Sequence, residues 1–318
     1  MSEVKYEACR KAIAETLFEI AKRDRSIIVL TTDARFSAAV ERFAEELPDQ
    51  FIDVGIAEQN AVGIAAGLSK VGKKPFYFAP ACFMASRCLD QIKVDLIYSR
   101  SNVKLVGVSG GVSYGPLGYS HHAVNDVAIM RTYPNMVVIL PSDANQARAV
   151  TERVVKYMGP VYIRVGRNPS PIIYDSREEA DFEIGKSKKL VDGSDVALIG
   201  LGETVYHCLE AAKLLKQKGV SAEVIDMPTV KPLDKDTILD VSKRINRIVV
   251  VEEHTIRGGL GSAIAEFLAA ENPTPMEFIS LPDDFLMTGK QHELYEYYGL
   301  SYSGIVERVI RFLSKFRR

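Results

Sequence analysis

The feature that most constrains this fold is a set of short apolar runs separated by connectors of helical length. They are Ser26-Ile27-Ile28-Val29-Leu30, Phe76 to Ala79, Val103 to Val108, Met136 to Leu140 and Val161-Tyr162-Ile163-Arg164-Val165. Such runs fit strands covered on both faces, so a parallel sheet flanked by helices is expected. Between them, Lys5 to Lys22 places Ile13, Leu17, Ile20 and Ala21 on one face at helical spacing. Pro141-Ser142-Asp143-Ala144-Asn145-Gln146 reads as a strand-to-helix turn with a capped start.

The stretch Gly166 to Phe182 is richer in Pro, Ser and acidic residues and has no sustained period, the composition of a linker. A second alternation follows it: strand Val196 to Gly200, helix Thr204 to Lys218, strand Ala222 to Asp226, helix Asp234 to Lys243 and strand Ile248 to Glu252. A helix after Gly258-Gly259-Leu260-Gly261 and a helical tail over Tyr302 to Phe316 close the pattern. The expected fold class is α/β, with two doubly wound domains at 1–166 and 188–318 joined by a linker at 167–187. A chain of 318 residues agrees with two domains of about 150 residues each.

Composition narrows the function classes. Forty basic and 41 acidic side chains give a formal net charge of -1, so no global field recruits nucleic acid or an anionic membrane. No apolar run reaches the roughly 18 residues needed to span a bilayer. The start, Met1-Ser2-Glu3-Val4-Lys5-Tyr6-Glu7, lacks the apolar centre of a signal segment. Cys9, Cys82, Cys88 and Cys208 follow no zinc or redox spacing; reduced thiols and a cytoplasmic location are expected.

Chemistry concentrates in Phe51-Ile52-Asp53-Val54-Gly55-Ile56-Ala57-Glu58-Gln59-Asn60 and the Ala- and Gly-rich helix it opens. An acidic first-turn residue is favoured by the helix dipole, and on that ground alone Glu58 needs no ligand. Phe83 taken alone is a core aromatic, an isolated His121 a structural histidine, and Arg87 an ion-pair partner or a channel residue. Gly258-Gly259-Leu260-Gly261-Ser262 lacks dinucleotide spacing and reads as a tight turn.

The segment around Glu58 resembles the pyrimidine-domain signature of the transketolase family and its 1-deoxyxylulose-phosphate synthase relatives. The match continues in order through Phe83-Met84-Ala85-Ser86-Arg87-Cys88-Leu89-Asp90-Gln91-Ile92, Asp126 to Arg131 and Ile225 to Asp234. Val251-Glu252-Glu253-His254 through Ser262-Ala263 completes it. The resemblance implies that Glu58 activates thiamine diphosphate by bonding its aminopyrimidine, a task for a carboxyl group that can cycle a proton. It further implies that Phe83 stacks on that ring, with Arg87 beside it, and that His121, in Gly118-Tyr119-Ser120-His121-His122, faces the substrate. Arg167 matches an anion-binding arginine. His122 stands where relatives usually have Gln, and His254 carries no implied role.

The family holds the diphosphate and Mg²⁺ through a Gly-Asp-Gly motif on a separate domain, and this chain has no such triplet. The chain therefore resembles the C-terminal half of transketolase made as its own subunit. An N-terminal partner carrying that motif and an α₂β₂ assembly are expected, with thiamine diphosphate and Mg²⁺ completed by the partner. Three departures concern the substrate. Leu117 replaces an Asp that contacts a substrate hydroxyl, Ser109 replaces a His of the donor pocket, and Tyr6 stands where relatives often have an N-terminal Arg that contacts the substrate phosphate. An apolar Leu117 removes a polar partner for the sugar, so a modified sugar is expected. Two-carbon ketol transfer is the leading activity. The alternatives are a 1-deoxyxylulose-phosphate synthase-like carboligase, a 2-oxo acid dehydrogenase β subunit, and a non-catalytic scaffold.

Overall fold

The apolar runs fold as strands buried on both faces, in a computed structural model that describes residues 4–316. Met1–Glu3, part of the start read above for a signal segment, lie outside the described residues. The strands are β1 (Tyr6–Glu7), β2 (Ile27–Thr31), β3 (Phe51–Asp53), β4 (Lys74–Pro80), β5 (Lys104–Val108), β6 (Val137–Ile139) and β7 (Val161–Arg164). They continue as β8 (Ser170–Pro171), β9 (Lys188–Val191), β10 (Val196–Gly200), β11 (Ala222–Asp226), β12 (Thr229–Lys231), β13 (Ile248–Thr255) and β14 (Met276–Leu281). Every residue of β2, β5, β7, β10 and β11 is buried, which a sheet with helices on both faces requires.

The first sheet has the order β12-β6-β7-β5-β4-β2-β3, parallel except for β12; the second is β14-β13-β10-β11-β9, parallel except for β9. Side-chain caps start several helices. Asp143 accepts from Gln146 N at 2.7 Å ahead of helix Ala144–Lys156, and Asp234 caps helix Lys235–Arg244. Each such cap contributes about 1 kcal/mol.

Three departures from the sequence reading share one cause, short pairings without a periodic signature. The first helix begins at Cys9, because Tyr6–Glu7 instead pairs antiparallel with Ser170–Pro171. The stretch expected as linker is tied down by that ribbon, by helix Arg177–Ala180 and by buried Tyr174, whose hydroxyl donates to Asp226 at 2.6 Å. After β11 the chain crosses at once to the first sheet, where Thr229 and Lys231 pair with Ile139 and Val138. A strand from the second half thus completes the first sheet, and one apolar cluster runs through both, joining Leu140 and Tyr162 to Ile199, Ile225 and Val250.

Charge also crosses this boundary. Arg164, 6% exposed, donates to Asp126 Oδ1 at 3.4 Å, to the Glu253 carbonyl at 2.8 Å and to Glu253 Oε2 at 3.2 Å. The Tyr162 hydroxyl donates to the other Asp126 oxygen at 2.6 Å. Removing the cation would leave two buried carboxylates facing each other's field. Arg164→Met is therefore expected to lower unfolding free energy by about 3–5 kcal/mol, read from urea titration.

Candidate active site

Because the first sheet is parallel, β2, β3, β4, β5 and β7 all end on one edge, where open α/β sheets gather functional residues. After β3, Gly55 takes φ 70° and the chain turns into helix Glu58–Lys70. Ala61, Val62, Ala65 and Ala66 bury one side of that helix, and its first residue, Glu58, has a side chain only 5% exposed. After β4, helix Ala81–Arg87 carries Phe83 and Arg87. Arg87 Nη1 lies 2.6 Å from Glu58 Oε1, and its guanidinium carbon is 4.0 Å from the centre of the Phe83 ring. Glu58 Oε2 has no hydrogen-bond partner among the described residues.

The loop after β5 brings in the histidine. Its start is pinned from the second domain, since Val112 N donates to Glu253 Oε1 at 2.9 Å. A Cβ on Gly111 would sit 2.0 Å from that carboxyl, and φ there is 61°, so the position needs glycine. A 3₁₀ turn over Gly115–Leu117 then leads to His121. The His121 ring meets Phe83 edge-on at 5.2 Å and Tyr114 at 5.5 Å. Ser120 Oγ is 3.0 Å from His121 Nδ1, and Nε2 has no partner among the described residues. Its neighbour His122 is buried, with Nε2 3.3 Å from Gly115 O, and desolvation lowers its pKa.

Arg167, after β7, lies against Tyr114 at 4.8 Å and donates to Ser37 Oγ at 3.3 Å. Arg10 adds a second cation: Nε donates to the Arg167 carbonyl at 2.8 Å and Nη1 to Ser37 O at 3.0 Å. Burial first, and then the charge of Arg167, lowers the Arg10 pKa. Carbonyl and hydroxyl oxygens thus hold two guanidiniums side by side at one corner of the site.

Glu58, Phe83, Arg87 and His121 thus form one contiguous group, and Tyr114 connects it to Arg167. Leu117 is 53% exposed and lines, with Tyr114 and Arg167, a cleft of about 610 Å³. Ser109 does not join this surface. It is fully buried, with φ 58° and an Oγ that has no partner among the described residues. A non-glycine residue in that region stores strain of about 1–3 kcal/mol. Tyr6 is exposed on β1, and the cation from this part of the chain that reaches Arg167 is Arg10. His254 bridges the domains, accepting from Ala128 N at 3.2 Å. In the Gly258–Ser262 turn the helix N-terminus is already occupied by Glu252, which accepts from Leu260 N and Gly261 N at 2.7 and 2.9 Å.

The chain is also similar to known proteins along its length. The family pattern "Transketolase, pyrimidine binding domain" matches residues 6–171, and "Transketolase, C-terminal domain" matches 185–305. The chain belongs to the transketolase family. It is similar to one of the subunits of the apulose-4-phosphate transketolase of Phocaeicola vulgatus, 47% identical over 97% of this chain and 98% of that one. It is 41% identical to a putative transketolase C-terminal section of Methanocaldococcus jannaschii, over 98% of both chains. A solved split-gene transketolase, described as an inactive β4 tetramer, superposes with TM-score 0.88 at 38% identity, covering 96% of this chain and 98% of that one.

This transketolase-family transferase therefore corresponds to the β-type half of a split enzyme, within a family of multimeric, subunit-pairing assemblies. Membership implies thiamine diphosphate and Mg²⁺ in the assembled enzyme. The residues present fit the pyrimidine end of that cofactor: a buried carboxyl with one free oxygen, a flat aromatic and a histidine. Among the described residues no group of three His, Cys, Asp or Glu side chains is placed to hold a metal.

Sequence reasoning missed Arg10, Ser37 and Tyr114, whose partners lie far off in the chain; Arg10-Lys11 at the start of an apolar helix was the one local signal. It also missed Glu203, behind Gly166, where an added Cβ would lie 2.2 Å from its Oε1. Burial, and then Glu253, raises the Glu203 pKa to about 7. The fold therefore holds this proton more tightly than the unfolded chain does, where a glutamate titrates near 4.3. That contribution is complete below about pH 4.3 and is lost as pH rises through about 7. Urea midpoints of the wild type should thus fall relative to those of Glu203→Gln across this window.

Proposed function

We propose that this chain supplies the pyrimidine half of the active site in a split transketolase that moves a two-carbon ketol unit from a ketose to an aldose. The observation that carries this reading is the contiguous group Glu58, Arg87, Phe83 and His121 on one sheet edge. When bound, thiamine diphosphate supplies the nucleophilic carbon for carbon–carbon cleavage and formation. Glu58 holds and releases a proton at Oε2 against the pyrimidine, in surroundings dry enough to keep that exchange efficient. Arg87 balances its charge through Oε1, Phe83 offers the ring a stacking face, and Leu117 puts an apolar side chain on the substrate side. His121 Nε2 donates to, or takes a proton from, a substrate oxygen, its ring clamped by Phe83 and Tyr114.

Arg10, Arg167 and Ser37 bind an anionic group of the sugar. Exposed Leu117 gives the sugar an apolar wall, which favours a substrate lacking or hiding one hydroxyl. The diphosphate and Mg²⁺ are assigned to an N-terminal partner subunit in an α₂β₂ assembly. Support comes from the absence of a Gly-Asp-Gly triplet in the sequence and from Ile56, two residues before Glu58 and 75% exposed. Four free, buried cysteines support a cytoplasmic location.

The test is hydrogen–deuterium exchange at C2 of the cofactor, followed by NMR in the complex with the partner subunit. Glu58→Gln should slow exchange by at least about 100-fold. Exchange at the wild-type rate would remove Glu58 from the role, and a wild-type complex that releases acetyl products from pyruvate but no ketol products from ketoses would refute ketol transfer.

A further inference from the structure

The cleft beside Leu117 has a second wall, built by the C-terminal domain. The loop carrying Leu117 packs tightly on the segment before helix Gln291–Tyr298. A Cβ on Gly115 would lie 2.0 Å from the Gly289 carbonyl oxygen, and one on Gly118 would lie 2.8 Å from the Thr288 methyl. Asn168 Nδ2 donates to Gln291 Oε1 at 2.8 Å, tying the residue after Arg167 to the first residue of that helix. These contacts bring Lys290 and His292 into the same cleft as Arg167. Among the described residues no carboxylate lines it.

Its volume, about 610 Å³, is ample for a phosphorylated sugar. Tyr114 belongs both to this cleft and to the edge contact with His121, so a ligand in the cleft lies next to the proposed catalytic histidine. Arg167 offers a planar fork and Lys290 a compact charge on a flexible stem, a pairing suited to a tetrahedral oxyanion. Leu117 and Pro116 give this cleft an apolar side, so its charge selects the anionic end of a ligand while the sugar body rests on carbon.

We propose that Lys290 and His292 of the C-terminal domain are specificity-determining residues that, with Arg167, hold the terminal oxyanion of the sugar substrate. This assignment rests on the ketol-transfer reading above and extends it to a domain outside the cofactor site. Two chemistries present a tetrahedral oxyanion at that end, a phosphate monoester and a sulfonate, and an exposed lysine on a flexible stem suits both.

The experiment uses the complex with the partner subunit and acceptor aldoses carrying a terminal phosphate, a terminal sulfonate or neither. Lys290→Met should raise KM for the charged acceptors about fivefold, the size expected on losing one exposed charge contact, and leave kcat and the neutral acceptor's KM unchanged. Inorganic phosphate should inhibit competitively, with an inhibition constant that rises in parallel; Lys218→Met, remote and exposed, serves as the charge-matched control. His292→Gln should weaken the charged acceptors in the same direction. A preference confined to phosphate or to sulfonate identifies which group the cleft was built for. Equal changes for charged and neutral acceptors, or an unchanged phosphate inhibition constant, would overturn the proposal. Should the complex transfer no ketol unit at all, the activity reading fails on its own. Calorimetric titration of wild type and Lys290→Met with inorganic phosphate then decides the subsite: weaker binding by the variant supports it and equal binding refutes it.

Discussion

The buried cation of Arg164 is the interaction on which the arrangement of this molecule depends. It leaves the end of β7 in one sheet and meets Glu253 at the end of β13 in the other, with Asp126 completing its coordination. Burying an arginine against one carboxylate is close to neutral in free energy, because desolvation offsets attraction. Two carboxylates, a carbonyl and the Tyr162 hydroxyl change that balance by satisfying each charged group. The interaction is also directional, fixing which strand ends face each other, which apolar packing between the sheets alone would leave looser.

That direction reaches the site through Glu253. The same carboxylate that receives Arg164 on Oε2 receives Val112 N on Oε1 and lies over Gly111 without space for a side chain. The loop leading to Tyr114, Leu117 and His121 therefore takes its position from the second domain, although every residue in it belongs to the first. A rigid scaffold carrying an irregular loop is how folds place chemistry precisely enough for a proton transfer. The β12 strand and the Asp226 cluster with Ser142, Gln146 and Tyr174 repeat the same coupling on the far edge.

The sequence made the strands of both sheets legible where side chains are buried on both faces, as in β2, β10 and β11, because continuous apolar runs of that length have few other uses. It made Glu58, Phe83, Arg87 and His121 legible as a set through their order along a family pattern, although local physics assigns each an ordinary structural role. Pairings of two or three residues stayed hidden. β1 with β8, and β12 against β6, have no period, and they form because tertiary contacts bring edges together. Arg10, Ser37 and Tyr114 were hidden for a related reason: their meaning lies in distances of about 3–5 Å to residues 27 to 157 positions away. Ser109 shows the converse limit, since its place in the pattern suggested a pocket residue and its burial puts it behind the loop.

The pairing of Arg87 with Glu58 bears on how tightly the proposed site holds its cofactor. One planar cation both bonds the carboxyl and covers a face of Phe83, the two contacts that a flat, hydrogen-bonding heterocycle would make there. Any ring that enters must either share these partners, using Glu58 Oε2 and the open side of Phe83, or displace the guanidinium. Sharing keeps the carboxyl's negative charge balanced in a side chain that is nearly buried, whereas displacement exposes it to the desolvation that Arg87 now offsets. Arg87 is itself 41% exposed, so moving its head into water is inexpensive for the arginine and costly only for Glu58. Affinity then has to be gathered elsewhere. On the proposed division the diphosphate end, which carries the charge, falls to the partner subunit, and cofactor binding and subunit pairing would then be one coupled equilibrium.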